Sequence, residues 1–472
     1  MRHTKVVGLE EAIRRSGLKD GMTISFHHHF RGGDKVVNMV VAKLAEMGFK
    51  NLHLAASSLS DVHAPLIEHI RSGVISKIST SGLRGELAAE ISRGLMKEPV
   101  VFRSHGGRGS AIASGALHID VAFLAASSSD ELGNACGYSR SENARSICGS
   151  LGYALPDARY AGHVVVITDD LVAYPNMPMS ISAVDVESVV VVDSVGDSSK
   201  ISAGAIRDSK NPRDILLAKQ AAKVVINSGY FKDGFSIQTG TGGASLAVVK
   251  YIRRQMIEQG VKASFALGGI TAHMVKLHEE GLIGTLIDVQ SFDKVAAQSI
   301  MSDPLHQEVS SVEYASGEHE GSAVHALDIV ILSALEVDVN FNVNVLVGSD
   351  GIIRGAIGGH QDTAADSALS VIVCPLLRGR IPCVVPKVTT LITPGASVDV
   401  VVTEYGIAVN PARPEVAERL RAAGLRVVDI HELAAKATSI IGTPDALPFG
   451  DKVVGLVMNR DGSVLDKIYN IL

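Results

Sequence analysis

The densest set of reactive residue types follows Asp350, in the run Gly351-Ile352-Ile353-Arg354-Gly355-Ala356-Ile357-Gly358-Gly359-His360-Gln361-Asp362. Closely spaced glycines let backbone amides approach a reacting carbonyl. With His360 and Asp362 beside them, they suit an oxyanion hole. A Gly-rich hairpin is the competing reading. A second cluster, Thr239-Gly240-Thr241-Gly242-Gly243-Ala244-Ser245, stands between a strand pattern and a helix pattern. Its amides are expected to face a phosphate or thioester oxygen, helped by the helix dipole, unless the run is only a tight turn. It lacks the Lys-Ser/Thr of a Walker loop and the glycine spacing of a dinucleotide fingerprint. The third cluster is Phe26-His27-His28-His29-Phe30-Arg31, again where a strand gives way to a helix. Three consecutive histidines do not converge on one metal ion, and no further ligand stands at a recognisable spacing, so no metal site is expected. An anion site built from these histidines, Arg31 and a helix N-terminus fits better. Arg84 in Ser81-Gly82-Leu83-Arg84-Gly85 and Arg108 in Ser104-His105-Gly106-Gly107-Arg108 add cationic groups on loops. A multiply charged anion needs several such partners, although each arginine alone also fits a solvated surface residue.

Something must hold these loops. Met22 to Phe26, Val100 to Arg103, Val121 to Leu124, Val164 to Thr168 and Val189 to Asp193 read as buried strands. Lys35 to Met47 carries Val36, Val37, Val40, Val41 and Leu44 at helical spacing and stops at Gly48. Pro414 to Ala423 is a second helix, opening on Pro and ending at Gly424. Such alternation predicts an α/β fold with mostly parallel strands. Val453 to Met458, a turn over Asp461-Gly462, and Val464 onward predict a closing hairpin. Lys19-Asp20-Gly21-Met22-Thr23-Ile24-Ser25 recurs as Lys232-Asp233-Gly234-Phe235-Ser236-Ile237-Gln238. Leu66 to Ile75 recurs likewise as Met274 to Ile283. An offset of about 210 residues is too long for a solenoid, so two tandem copies of one α/β unit are expected. The first would span 1–210 and the second 211–472, with the seam near Asp208 to Arg213.

Composition narrows the function classes. The chain has 472 residues, 46% hydrophobic and 20% charged, enough to bury a large core. A net charge of −6, 4% aromatics and no Trp argue against nucleic-acid binding. Four cysteines, Cys136, Cys148, Cys374 and Cys383, make neither a disulfide framework nor a zinc motif. No signal peptide or long uncharged apolar stretch is present, so a cytoplasmic protein without membrane association is expected. Serine-hydrolase, Cys–His and zinc-protease motifs are absent.

Five segments resemble the citrate lyase alpha-subunit family of the CoA-transferase superfamily: Ala12 to His28, Gln238 to Ala247, Ser333 to Asp338, Gly355 to Asp362 and Arg378 to Val385. The resemblance extends over essentially the whole chain, which begins later than relatives with an extra N-terminal stretch. It implies two tandem CoA-transferase-like open α/β domains. It also implies a reaction: citrate plus an acetyl thioester on the CoA-like arm of an acyl carrier subunit gives citryl-carrier and acetate. A beta subunit then cleaves citryl-carrier, within one oligomeric complex with the carrier (gamma) subunit. No cofactor is expected on this chain itself, since the phosphopantetheine-type group belongs to the carrier. Many CoA-transferases use a Glu nucleophile. Alignment on Leu277 to Ile283 puts Gly268 where that Glu would fall, which implies direct attack by citrate and a mixed anhydride. Gly358 and Gly359 are then the expected oxyanion donors, with His360 orienting the attacking carboxylate. Thr239, Gly240, Thr241, Gly242, Gly243 and Ser245, together with Gly268, would lie against the thioester arm. His28, His29, Arg31, Arg84 and Arg108 would hold citrate, and Glu336 and Asp338 would buttress the site, unless a shifted alignment makes Glu336 a nucleophile.

Other readings stay open on sequence alone. One is a CoA-transferase or acyl-CoA hydrolase using free CoA thioesters and another small carboxylate such as citramalate. Two more are a non-catalytic subunit that only docks a carrier and a sugar-phosphate isomerase on a related fold.

Overall fold

The computed structural model describes residues 4–142, 144–202, 211–240 and 243–472. The first half gives seven strands to its main sheet: β1 (Thr23–Phe26), β2 (Leu52–Ala56), β3 (Ile75–Thr80), β4 (Val100–Phe102), β5 (Val121–Ala126), β6 (His163–Thr168) and β7 (Ser188–Val191). β5, Val-Ala-Phe-Leu-Ala-Ala, is buried along its whole length, as expected of a parallel strand covered on both faces. The helix Val36–Glu46 buries Val36, Val37, Val40, Val41 and Leu44 on one face, and the Asp34 carboxylate accepts the Val37 amide at its start. β2 and β3 escaped the sequence reading because Ser, His and Lys interrupt their apolar runs.

The second half repeats the plan with β8 (Phe235–Thr239), β9 (Ala263–Ile270), β10 (Ile283–Ser291), β11 (His306–Glu308), β12 (Ile329–Ser333), β13 (Leu369–Val373) and β14 (Val400–Thr403). The first sheet runs β7-β6-β5-β1-β2-β3-β4 and the second β14-β13-β12-β8-β9-β10-β11, so equivalent strands take equivalent places. All of these pairings are parallel. The chain is thus a tandem α/β protein, as its internal similarity predicts. Two further strands, β15 (Gly406–Val409) and β16 (Val427–Val428), extend the second sheet beyond β14.

The boundary of the second unit needs correction. The C-terminal hairpin, β17 (Phe449–Met458) and β18 (Val464–Ile471), leaves its own half and joins the first sheet, with β17 parallel to β4. Val454, Val457 and Ile468 are buried in the first half's core. That edge strand offers an unpaired backbone and an apolar face, which local sequence pattern does not register. Asp208 to Lys210 of the expected seam lie outside the described residues, and Pro212 and Arg213 open the helix Pro212–Asn227. Among the described residues no helix is long and apolar enough to cross a membrane.

Candidate active site

β1 and β8 are equivalent central strands, and both deliver a loop at their carboxyl end into one cavity of about 390 Å³ between the halves. Ligands of open parallel sheets bind outside such strand ends. The first half supplies His28, Arg31, Arg84, His105 and Tyr153, and the second supplies Gln238, Thr239, Gly240, Tyr314 and Gly358 to His360.

The first-half wall is cationic. Arg31, half-buried, lies over the Phe292 ring at 4.7 Å. Burial and the nearby Arg84 charge push its guanidinium down to about 10, which leaves it cationic at neutral pH. Neither Arg31 nor Arg84 forms an ion pair among the described residues. The histidines are neutral. Burial, and then the neighbouring His105, hold His28 well below its ordinary value, and burial takes His105 to about 3. Ser57 accepts the His28 amide at 3.0 Å, and its hydroxyl meets His28 Nδ1 at 2.5 Å. The Ser57 hydroxyl has no other acceptor among the described residues, so its proton points to Nδ1 and the neutral ring keeps its own on Nε2, toward the cavity. Ser81 donates to the Ser57 carbonyl, so it accepts from His105 Nε2 at 3.2 Å, and the Tyr153 hydroxyl donates to His105 Nδ1 at 2.6 Å. Tyr153 also stacks on His28, with centroids 4.9 Å apart.

Two residues expected on this wall are elsewhere. Arg108 is buried in a bidentate pair with Asp157, both bonds 2.8 Å, and donates to the Ala55 carbonyl. A guanidinium so engaged is structural, and it does not line the cavity. His29 is fully buried behind the wall, where its Nε2 accepts the Tyr153 amide at 3.1 Å. It positions Tyr153 and does not reach a ligand.

On the second-half wall, Gly358 and Gly359 line the cavity with amides that no acceptor uses among the described residues. The Gly358 carbonyl accepts the His105 amide at 2.8 Å, which ties this turn to the opposite half. His360 also lines the cavity, but both ring nitrogens are committed, Nδ1 to the Thr393 hydroxyl at 2.7 Å and Nε2 to the Ser333 carbonyl at 3.1 Å. Burial lowers it to about 4. A neutral ring pinned at both nitrogens cannot orient a carboxylate through either, so the role expected for His360 is corrected to holding the turn.

Thr239 and Gly240 line the cavity, and Gly243 and Ser245 open the helix Gly243–Gln259 that follows; Thr241 and Gly242 lie outside the described residues. Gly268 is off the cavity wall, on β9. Its φ of +95° strains any side chain there, and a Cβ would press on the Gln238 carboxamide. The carboxamide of Gln238 fills the space and reaches the cavity in its place. Glu336 accepts the Thr389 amide and hydroxyl and the Asn344 amide group, and Asp338 accepts the Asn340 and Asn342 amides. Both are buttresses away from the cavity lining, and Glu336 is not placed as a nucleophile.

Sequence reasoning missed Tyr153, His105, Gln238 and Tyr314 as site residues. His105 had a usable signal, since it opens a helix just after β4, with only Arg103 and Ser104 between, at a strand-to-helix junction like those of His28 and Thr239. Tyr153 and Tyr314 had none, since each stands on a short segment brought in by tertiary packing.

A family model described as "Citrate lyase, alpha subunit (CitF)" matches residues 3–471. The chain is 59% identical over 463 residues to the citrate lyase alpha chain of Escherichia coli (strain K12), covering 98% of this chain and 90% of that one. It is 56% identical over 463 residues to that of Haemophilus influenzae, covering 98% and 92%. A crystal structure of a citrate lyase alfa subunit from Streptococcus mutans, solved with citrate, superposes with a TM-score of 0.97 at 54% identity, covering 100% of this chain and 92% of that one. A malonate decarboxylase alpha subunit from Acinetobacter baumannii shares only the fold, at TM-score 0.68 and 16% identity over 93% of both chains. The chain belongs to the citrate lyase alpha-subunit family, the transferase component of citrate lyase.

Proposed function

We propose that the chain exchanges acetyl for citryl on the thiol of a CoA-like arm carried by an acyl carrier subunit, releasing acetate. The observation that carries this reading is two arginines that form no salt bridge among the described residues, Arg31 and Arg84, facing a cavity whose opposite wall presents amides of Gly358 and Gly359 that no acceptor among them uses. Citrate is the acceptor the cation wall suits. Arg31 and Arg84 each pair with a carboxylate, and His28 Nε2 donates to a third oxygen. The Streptococcus mutans relative, matched over 92% of its length, was solved with citrate.

The arm enters beside Thr239, Gly240 and the first turn of the helix at Gly243. Among the described residues Gln238 Oε1 and Thr239 Oγ1 are buried without hydrogen-bond partners, and a pantetheine chain carries amide groups that would satisfy such atoms. When bound, the arm supplies a thioester carbonyl open to attack. A citrate carboxylate oxygen attacks it, and the Gly358 and Gly359 amides stabilise the oxyanion. The C–S bond then breaks, giving a citryl–acetyl anhydride and a thiolate. The thiolate attacks the citryl carbonyl of the anhydride, and acetate departs with the bridging oxygen. No carboxylate from the chain takes part, because Gly268 and Gln238 occupy the place of a Glu nucleophile. The protein contributes proximity and preorganised donors. The citryl-carrier passes to a beta subunit for cleavage within the citrate lyase complex.

Incubating the purified chain with acetyl-CoA and citrate, and following CoA thioesters by mass spectrometry with citramalate and no-acid controls, tests the reading. Citryl-CoA with free acetate is the expected result. Free CoA without a new thioester identifies a hydrolase instead.

A further inference from the structure

Gly359 has φ −91°, a backbone conformation open to any residue, so its lack of a side chain has another cause. A Cβ built there collides with the Tyr314 hydroxyl. The space that a side chain would fill is therefore taken by a phenol oxygen seated directly over the Gly359 backbone. Tyr314 stands on the short helix Ser311–Ala315 and is 2% exposed, with its ring in the second half's core. Tyr314 lines the cavity.

The polarity of the one hydrogen bond at that oxygen decides what it can do. Gln238 Nε2 donates to the Tyr314 oxygen at 2.7 Å, so the phenol acts as acceptor and keeps its own proton. No acceptor for that proton exists among the described residues. Burial, reinforced by the Asp362 carboxylate, raises the phenol above its ordinary value, so it stays protonated. Gln238 itself packs over Gly268, where a Cβ would press on its carboxamide. The arrangement is thus a backed donor: Gly268 makes room for Gln238, Gln238 presents Tyr314, and Tyr314 displaces any side chain from position 359.

Resting on the transferase reading above, we infer that the Tyr314 hydroxyl is a third oxyanion donor, acting beside the Gly358 and Gly359 amides on the thioester carbonyl oxygen. Gln238 is its positioning residue. The donor gives a hydrogen bond and no proton, so the phenol is unchanged through the cycle. Its place on the reaction wall, opposite Arg31 and Arg84, separates it from citrate recognition.

The test uses the full chain with acetyl-CoA and citrate, reading kcat for citryl-CoA formation and, by calorimetry, citrate affinity without a thioester. Tyr314→Phe removes one oxygen. Its kcat should fall on the order of 100-fold, the usual effect of losing one such donor, while citrate affinity stays within about twofold. Gly359→Ala, which pushes the hydroxyl aside, should give a loss of the same order, again without loss of citrate affinity. If Tyr314→Phe keeps wild-type kcat, or if its kcat loss comes with an equal loss of citrate binding, the hydroxyl is not an oxyanion donor and the inference is overturned. A wild-type chain that forms no citryl thioester from either CoA or acetyl-carrier overturns the transferase reading and this inference with it.

Discussion

Asp362, at the foot of the Gly-rich turn in the second half, caps a helix of the first: its Oδ1 accepts the Ser104 hydroxyl at 2.7 Å and its Oδ2 the Gly106 amide at 3.0 Å. The capped helix, His105–Ala113, begins with the residue whose amide holds the Gly358 carbonyl. One carboxylate therefore couples the oxyanion turn to the wall carrying His105 and Tyr153.

This coupling has a pH signature. Burial raises Asp362 to about 6, although the Ser104 and Gly106 hydrogen bonds oppose it. The folded state then binds the proton more tightly than the unfolded chain does. Asp362 contributes most to stability below the ordinary carboxylate value, and this contribution disappears as pH rises through about 6. Asp362→Asn has no group to titrate there. Urea unfolding at about pH 5 and about pH 7.5 should show wild type losing stability relative to this variant on the alkaline side. Parallel changes in the two proteins would remove Asp362 as the source.

The arginines separate by role. Arg31→Gln and Arg84→Gln should each weaken citrate binding about 10- to 100-fold, as expected for losing a charge-assisted hydrogen bond of about 1.5–3 kcal/mol. Thermal stability should change little. Arg108→Met should do the reverse, leaving Asp157 buried and unpaired at a cost of about 3–5 kcal/mol. Calorimetry with citrate and thermal melts of the three variants check this. A citrate-binding defect in folded Arg108→Met would return that residue to the site.

Catalysis should not depend on a titrating histidine. His28 is held well below the ordinary imidazole value, His105 lies at about 3 and His360 at about 4, each chiefly through burial. All three are neutral near pH 7, and an exchange between two carboxylates requires no net proton transfer. With citrate saturating, kcat should be flat from about pH 6.5 to 8.5. A tenfold fall per pH unit on the acid side of that window would mean that one of these rings serves as a base.

Much of the fold was legible because parallel strands buried on both faces leave apolar runs such as Val121 to Leu124, and because the repeat left matching segments such as Lys19 to Ser25 and Lys232 to Gln238. The chemistry-bearing loops were legible for a related reason: equivalent strands β1 and β8 end in equivalent places, so His28, Arg31, Thr239 and Gly240 converge. What was not legible depends on pairings across long sequence distances. Arg108 and Arg84 look alike as loop arginines, and only the placement of Asp157 consumes one of them. His360 looks like a catalytic histidine until Thr393 and Ser333 take its nitrogens. The hairpin was predicted as a hairpin, but the sheet it joins was set by the open edge of β4.

On the proposed pathway citrate attacks the thioester directly, without an acyl group ever resting on the protein. A single turnover with citrate labelled with ¹⁸O in its carboxylates tests it. Direct attack leaves one citrate oxygen as the bridge of the anhydride, so the released acetate should carry one ¹⁸O atom and the protein none. Label appearing in a side-chain carboxylate of the protein, with acetate unlabelled, would mean a covalent glutamyl or aspartyl intermediate and would contradict the account.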